Sequence, residues 1–144
     1  MSAFLLDTNV ISELIKPKPE PKVTMWIDDT DEELLFLSVL TLGEIRKGVV
    51  LLPRSARRTS LEAWLSKELP LRFSNRILGV HQEVADRWGH LSGLTSARGV
   101  HLGVIDGLLA ATAMQHDLTL VTRDTRDVGT TGVMLFNPWT NGSV

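Results

Sequence analysis

The chain has 144 residues, of which 43% are hydrophobic and 22% charged, a composition that excludes a disordered, collagenous or low-complexity protein. Its length predicts a single domain over residues 1–144, and the absence of cysteine excludes disulfides, iron–sulfur clusters and thiolate zinc sites. The formal net charge is −2, yet residues 46–76 hold eight basic and two acidic side chains, which indicates either an anion-binding face or a solvated helix surface.

Short apolar runs alternate with amphipathic segments in the first part of the chain. We predict a buried strand at residues 4–6 and a helix over residues 10–15. Three prolines within residues 16–21 exclude a helix and predict an exposed loop. Pro21 suits the first turn of a following helix, and a second strand is predicted at residues 34–38.

The rest of the chain continues the alternation of helices and strands. A helix is predicted to open at Thr41, and Pro53 separates it from a second amphipathic helix that reaches Leu69. The remaining predicted elements are a strand at 76–80, a helix at 81–94, a loop at 92–103, a helix at 104–115, and strands at 118–122 and 133–136. This order predicts an α/β fold with a mainly parallel sheet of about five strands.

The sequence contains no signal for membrane insertion or export. No apolar stretch approaches the roughly 20 residues that cross a bilayer. The N-terminus lacks the basic start and long apolar run of a secretory signal. We therefore expect a soluble protein of the cytoplasm that does not bind a membrane.

Four acidic side chains follow predicted strands or open predicted helices. Asp7 comes directly after the first strand, and Asp124 follows the fourth. Glu44 lies in the first turn of the helix after the second strand, and Asp106 in the first turn of the helix at 104–115. Because open α/β sheets place ligand sites beyond the carboxyl ends of their strands, we expect all four side chains at one edge of the sheet.

Each acid also has a structural interpretation that requires no ligand. Asp7 can cap the following helix, and Glu44 fits a capping box with Thr41. Asp106 complements a helix dipole, and Asp124 suits a polar turn. Four acids at one edge repel one another and raise one another's pKa, however, and a bound cation removes that cost. Oxygen ligands of this kind select Mg²⁺ or Mn²⁺.

Other kinds of site lack the residues they require. The four histidines show no i, i+4 spacing, there is no glycine-rich nucleotide motif, and no G-x-S-x-G turn is present. We place the histidines at the surface or at helix ends. Trp26, Trp64 and Trp88 fall at helical spacing and are predicted core residues rather than platforms for stacking on bases, whereas Trp139 remains open.

Five segments carry a resemblance to a known family. They are LLDTNVISE at 5–13, TLGEIRKG at 41–48, DGLLAATA at 106–113, TLVTRD at 119–124 and FNPW at 136–139. Together and in this order they resemble PIN-domain proteins, and the last resembles the tail of the FitB-like branch of VapC toxins. The resemblance implies a three-layer α/β/α sandwich, a metal-dependent ribonuclease and the toxin half of a type II toxin–antitoxin pair.

The same resemblance implies roles for the acids. Asp7, Glu44 and Asp106 match the family's three principal acids, and Asp124 matches the fourth, with Asp127 as the alternative. We expect Asp7, Asp106 and Asp124 to hold one or two Mg²⁺ ions, which would bind the scissile phosphate and lower the pKa of a bound water. Glu44 would hold a second ion or orient that water.

Further residues are expected to contact the substrate. Thr8, Asn9 and Thr122 match small polar positions of the family that orient the acids or the scissile phosphate. Arg46 lies two residues after Glu44, within the basic segment, and would bind an RNA phosphate. The alternative is that Arg46 and the other basic side chains meet an acidic segment of an antitoxin.

Two other functions compete with the nuclease. The first is a binding module that hardly cleaves RNA and serves as co-repressor of a DNA-binding antitoxin. The second is a phosphatase of the haloacid-dehalogenase type, which requires an acid two residues after Asp7, where this chain has Asn9. The partners implied by the resemblance are RNA, a cognate antitoxin, operator DNA reached only through that antitoxin, and a second copy of the chain in a homodimer.

Overall fold

The computed structural model describes residues 2–140 and the backbone of Gly142 and Ser143. The helices are α1 Thr8–Leu14, α2 Pro21–Asp29, α3 Val39–Val50, α4 Ala56–Ala63, α5 Leu69–Arg72, α6 Gln82–Ala97 and α7 Val104–Gln115. The strands are β1 Phe4–Leu6, β2 Leu35–Ser38, β3 Ile77–Leu78, β4 Thr119–Val121, β5 Leu135–Asn137 and β6 Gly142–Ser143. Within the described part of the chain, no helix is both long enough and apolar enough to span a membrane.

The strands form one sheet in the order β3-β2-β1-β4-β5-β6. The first five are parallel, which confirms the predicted sheet, and β6 adds an antiparallel edge that the sequence did not predict. Leu5 of β1 pairs with Phe36 of β2 on one side and with Leu120 of β4 on the other. The chain runs outward from β1 in one direction and from β4 in the other, so the gap between their carboxyl ends is the switch point at which such sheets bind ligands.

Alternating strand residues bury the two faces of the sheet in separate cores. Leu6 and Leu37 face the core formed with α1, α2 and α3, and with the helical segment that includes Phe73. Leu5 and Leu120 face the core formed with α7, over which α6 packs. This arrangement is the predicted three-layer α/β/α sandwich.

The start of α3 differs from the prediction. The helix begins at Val39, and the Ser38 hydroxyl caps it by accepting the Leu40 N–H at 3.0 Å. Thr41 is therefore the third residue of the helix and fully buried, so the capping box predicted for Thr41 and Glu44 is wrong. Because Ser38 ends the strand and satisfies a free amide at once, the helix starts two residues earlier and Glu44 lies in its second turn.

Other parts of the prediction also differ from the structure. The loop predicted at 92–103 is wrong over its first half, because Leu91 and Thr95 are buried and extend α6 to Ala97. The predicted strand at 76–80 contains only the two residues of β3. The helix that reaches Leu69 contains a π-helical turn, Trp64–Glu68, before α5. Pro70 accounts for that turn, since proline lacks an N–H and crowds the carbonyl four residues earlier.

The histidines lie where the sequence places them, whereas the three tryptophans predicted in the core are only partly buried and pack against it. Trp26 and Trp64 pack on the first core, and Trp88 packs beside α7. Trp26 also meets the Phe4 ring edge-on, with centroids 5.0 Å apart. All four histidines are exposed. Trp139, left open by the sequence, is half-buried and lies under the Arg123 guanidinium, 5.3 Å from the ring centroid.

Gly107 sets the distance between α7 and α6. A Cβ at this position would lie 3.0 Å from two atoms of the Trp88 indole and 3.3 Å from the Leu102 side chain. Gly89 in α6 has no atom within 4 Å of the corresponding position. The absence of a side chain at Gly107 therefore allows the first turn of α7, with Asp106, to lie against Trp88.

Two glycine-to-alanine substitutions should therefore have opposite effects on stability. We expect Gly107→Ala to lower the free energy of unfolding by about 1–3 kcal/mol, because the new methyl group must displace the Trp88 ring. Gly89→Ala should raise it by about 0.5–1 kcal/mol, because alanine favours a helix interior and meets nothing there. Urea unfolding of both variants measures the difference. Stabilisation by both substitutions would contradict the close packing of α7 on Trp88.

Candidate active site

Asp7 lies in the gap between β1 and β4. It continues the pairing of the strands, since its N–H donates to the Val121 carbonyl at 2.9 Å. Its carboxylate accepts the Thr8 N–H at 2.7 Å, so Asp7 caps α1 as predicted, and the Thr122 hydroxyl at 2.8 Å. Only 7% of Asp7 is exposed. Both a structural and a ligand-binding role are therefore open to the same carboxylate.

Burial raises the pKa of Asp7 from 3.8 to about 6. The hydrogen bonds from Thr122 and Thr8 lower the pKa, while the charges of Asp106 and Glu44 raise it further. Burial outweighs the hydrogen bonds, because the ionised carboxylate has lost most of its contact with water. A nearby cation would reverse this imbalance.

Glu44 is held beside Asp7 by the residue that follows Asp7 in the chain. The Thr8 hydroxyl donates to Glu44 Oε1 at 2.5 Å and lies 3.4 Å from the Thr41 hydroxyl. Helix α1 and helix α3 are thereby joined at the carboxyl edge of the sheet. The predicted position of Glu44 at this edge is what the structure shows, although a different residue caps the helix.

Asp106 completes the group from the other face of the sheet. It lies in the first turn of α7 and is exposed. Partial burial raises its pKa, and the charges of Asp124, Glu44 and Asp127 raise it further. A Cβ at Gly103, which precedes the helix, would be in ordinary van der Waals contact with Asp106 Oδ2, at 3.6 Å.

A hydrogen-bond network ties Asp124 to Asp7 through Thr122 and Asn9. The Thr122 hydroxyl donates to Asp7 and accepts the Asp124 N–H at 3.0 Å. The Asn9 amide donates to the Thr122 hydroxyl at 3.2 Å and to Asp124 Oδ2 at 3.3 Å. Asn9 Oδ1 is buried and has no partner within the described residues. Asp127 lines the same 380 Å³ cavity as Asp106 and Asp124, so it remains the alternative fourth acid.

We refer to Asp7, Glu44, Asp106 and Asp124 as the acid cluster, and its donor set fits a hard cation. The charges of Asp106 and Glu44 raise the pKa of Asp7, and the charges of Asp124 and Glu44 raise the pKa of Asp106. Within the described residues, no three acidic or histidine side chains form a ligand cage by themselves. Mg²⁺ is commonly bound through one or two carboxylates together with water and substrate phosphate, so an open cluster suits it better than a closed cage. Asn9 Oδ1 is a further acceptor without a partner.

The family follows from comparison with known proteins. The PIN domain model matches residues 4–128. This chain belongs to the PIN domain family. It is 38% identical over 136 residues to Toxin FitB of Neisseria gonorrhoeae, covering 94% of this chain and 98% of FitB. It is 36% identical to VapC ribonuclease Y4jK of Sinorhizobium fredii, covering 94% and 97% of the two chains.

Solved structures give the same result for this PIN domain. The crystal structure of FitAcB from Neisseria gonorrhoeae matches with a TM-score of 0.90 and 38% identity, over 94% of this chain and 98% of that one. A structure of FitAB bound to an IR36 DNA fragment matches with a TM-score of 0.89 and 37% identity, over 94% and 95%. The resemblance to FitB-like VapC toxins stated from the sequence is confirmed.

The basic segment of this PIN domain is largely engaged in internal contacts. Arg58 pairs with Glu62, and Arg72 pairs with Glu32 at 2.9 Å. Arg46 is exposed, as its predicted role requires, but its guanidinium donates to the Ser66 hydroxyl at 2.9 Å. The cation nearest the acids in sequence is instead Arg123, between Thr122 and Asp124, which lies outside the basic segment at 46–76. Its position two residues after the end of β4, next to Asp124, was the available signal.

The raised pKa of Asp7 predicts how stability depends on pH. A carboxyl whose pKa is higher in the folded state destabilises the fold as pH rises through about 4 to about 6, because the unfolded chain ionises first. Without metal, Asp7→Asn should therefore raise the free energy of unfolding at about pH 8 by up to about 3 kcal/mol. Asparagine has a single acceptor oxygen, so it keeps only one of the two bonds that the carboxylate accepts from Thr8 and Thr122, which reduces the gain. At about pH 4 the gain should disappear, since the wild-type carboxyl is then neutral. Thermal unfolding in chelator at both pH values measures this, and equal stabilisation at both would contradict the account.

Proposed function

We propose that this PIN domain is a Mg²⁺-dependent endoribonuclease and the toxin of a type II toxin–antitoxin pair. The observation that carries the proposal is the acid cluster, in which carboxylates from four separate parts of the chain meet at the switch point of the sheet. Relatives named as VapC ribonucleases and as Toxin FitB support the same function. Cleavage would be hydrolysis of an RNA phosphodiester bond.

We assign different catalytic roles to the side chains of the acid cluster. Asp7, Asp106 and Asp124 would hold Mg²⁺, and Mn²⁺ can replace it because it takes the same oxygen ligands. When bound, such an ion neutralises charge on the scissile phosphate and makes a water molecule more acidic. Glu44, fixed by the Thr8 hydroxyl, orients the attacking water or contributes to a second cation site.

The polar neighbours hold these acids in place and would contact the substrate. Thr122 donates to Asp7 and Asn9 donates to Asp124, which favours one orientation of each carboxylate. Asn9 Oδ1 is buried without a partner among the described residues, and a bound water would satisfy it. We propose that Thr8 and Arg46 also contact the substrate. Arg46 would bind an RNA phosphate in place of the Ser66 hydroxyl.

The partners we propose are those of a toxin. A cognate antitoxin would cover the acid cluster, and operator DNA would be reached only through that antitoxin. The neighbouring structures include FitAB bound to DNA, which supports an antitoxin partner and an association with DNA. We further propose a homodimer in the cytoplasm, since apolar side chains such as Leu51 and Leu71 are 75% and 78% exposed.

The same DNA-bound neighbour favours one alternative function. This PIN domain would then serve mainly as a co-repressor with a DNA-binding antitoxin and would cleave RNA poorly. The two functions differ in a property that the purified protein itself must show. A nuclease requires the acid cluster and a divalent cation, whereas a binding module requires neither for complex formation.

Cleavage of single-stranded RNA by the purified protein distinguishes the two functions. We expect activity to vanish in EDTA and to return with Mg²⁺ or Mn²⁺. Asp106→Asn should lower the rate at least about 100-fold while its melting temperature stays at or above that of the wild type, because one repelling charge is removed. Asp86→Asn, an exposed acid of α6, is the matched control and should cleave normally. Full cleavage by metal-stripped protein would contradict the mechanism, and no cleavage under any condition would favour the binding module.

A further inference from the structure

We propose that Arg123 and the proline loop, residues 15–20 between α1 and α2, form a binding track for single-stranded RNA that leads away from the acid cluster. The inference rests on the proposed ribonuclease function and names the path of its substrate. Arg123 lines two cavities at once. One, of about 380 Å³, also contains Asp106 and Asp124, and the other, of about 490 Å³, contains Lys16 and Lys18.

The Arg123 side chain is held in position without being neutralised. Its guanidinium lies over the Trp139 ring at 5.3 Å from the centroid. Within the described residues it makes no hydrogen bond and no salt bridge, so its N–H groups are available to a ligand. A stacked guanidinium of this kind can bind phosphate oxygens along its edge and a base across its face.

The proline loop is anchored by Glu13, and its two lysines line the second cavity. The buried Glu13 carboxylate accepts the Lys16 ammonium at 2.9 Å and the Glu20 N–H at 2.9 Å. Glu13 is only 5% exposed and its pKa is lowered, first by the bond from Lys16 and also by the charge of Arg123. The Glu13 carboxylate is therefore paired with Lys16 and the Glu20 N–H, whereas Lys18 is exposed and lines the cavity.

The chemistry of the track favours an extended polyanion with flat bases. Lys16, Lys18 and Arg123 outnumber the two carboxylates that line the same cavity, Glu13 and Glu20. Trp139 adds an aromatic wall beside them. Cations that follow a backbone, combined with stacking surfaces, are the features by which proteins bind single-stranded nucleic acid without reading its sequence. An RNA whose scissile phosphate lies at the acid cluster would pass Arg123 and continue to Lys18.

The test is binding and cleavage of single-stranded RNA of mixed sequence, in a long and a short form, by Arg123→Gln and Lys18→Gln. Each variant should raise KM for the long RNA about five- to tenfold, with a smaller effect on kcat, and should lower the slope of log affinity against log salt by about 0.7. The effect of Lys18→Gln should shrink with the short RNA, while that of Arg123→Gln should persist. Lys18 lies on an exposed loop, so its variant remains informative if Arg123→Gln unfolds.

Arg87→Gln is the matched control. Arg87 is exposed and donates a hydrogen bond to the Gln115 side chain at 3.2 Å. Gln115 ends α7, nine residues after Asp106, so it lies about 13.5 Å from Asp106 along the helix axis. Arg87→Gln removes the same charge and should leave KM and the salt slope unchanged. Equal effects from all three variants would overturn the track in favour of general charge attraction. Unchanged RNA binding by Arg123→Gln, with a weaker antitoxin complex, would overturn it in favour of a protein ligand.

Binding in the Asp106→Asn background separates this proposal from the function on which it rests. If that protein binds RNA with a salt slope that depends on Arg123, the track is supported even where cleavage fails. If the wild-type protein cleaves RNA, and Arg123→Gln and Lys18→Gln behave like Arg87→Gln, the ribonuclease function is supported and the binding track is refuted.

Discussion

Burial of the Asp7 carboxylate where β1 and β4 part is the constraint on which the rest of this structure depends. The strand order changes direction there, so two loops leave a gap that a polar side chain must occupy. Asp7 fills it while capping α1 and accepting the Thr122 hydroxyl. The fold thus holds an ionisable group in a position where burial disfavours its charge, and the hydrogen bonds only partly compensate.

The other acids increase that cost. Glu44 and Asp106 approach from opposite faces of the sheet, and each raises the pKa of Asp7. A protein selected only for stability would not maintain such repulsion at the end of its central strands. The divalent cation and phosphate that we propose for this site would explain it, because a cation would turn the repulsion into binding energy. Affinity for the cation should accordingly fall as pH drops below about 6, where protons compete for Asp7.

Much of this could be predicted from the sequence, for reasons visible in particular residues. The buried strand that ends at Asp7 and the strand that ends before Thr122 are continuous apolar runs, which parallel sheets require. Positions decided by tertiary contact could not be predicted in this way. The sequence placed a capping box at Thr41, whereas Ser38 caps the helix because it already ends the strand. It also ended α6 too early, because burial of Leu91 and Thr95 against neighbouring elements outweighs their glycine-rich surroundings. The basic side chains illustrate the same limit, because a run of positive charge does not show what each cation contacts.

The location of a bound cation is the most direct test of the role proposed for the acid cluster. Crystals soaked with Mn²⁺ should show an anomalous difference peak at about 2.0–2.2 Å from carboxylate oxygens of Asp7 and Asp106. The peak should be absent in Asp106→Asn. A Mn²⁺ peak that appears only away from these two residues, or that is unchanged in Asp106→Asn, would contradict the account.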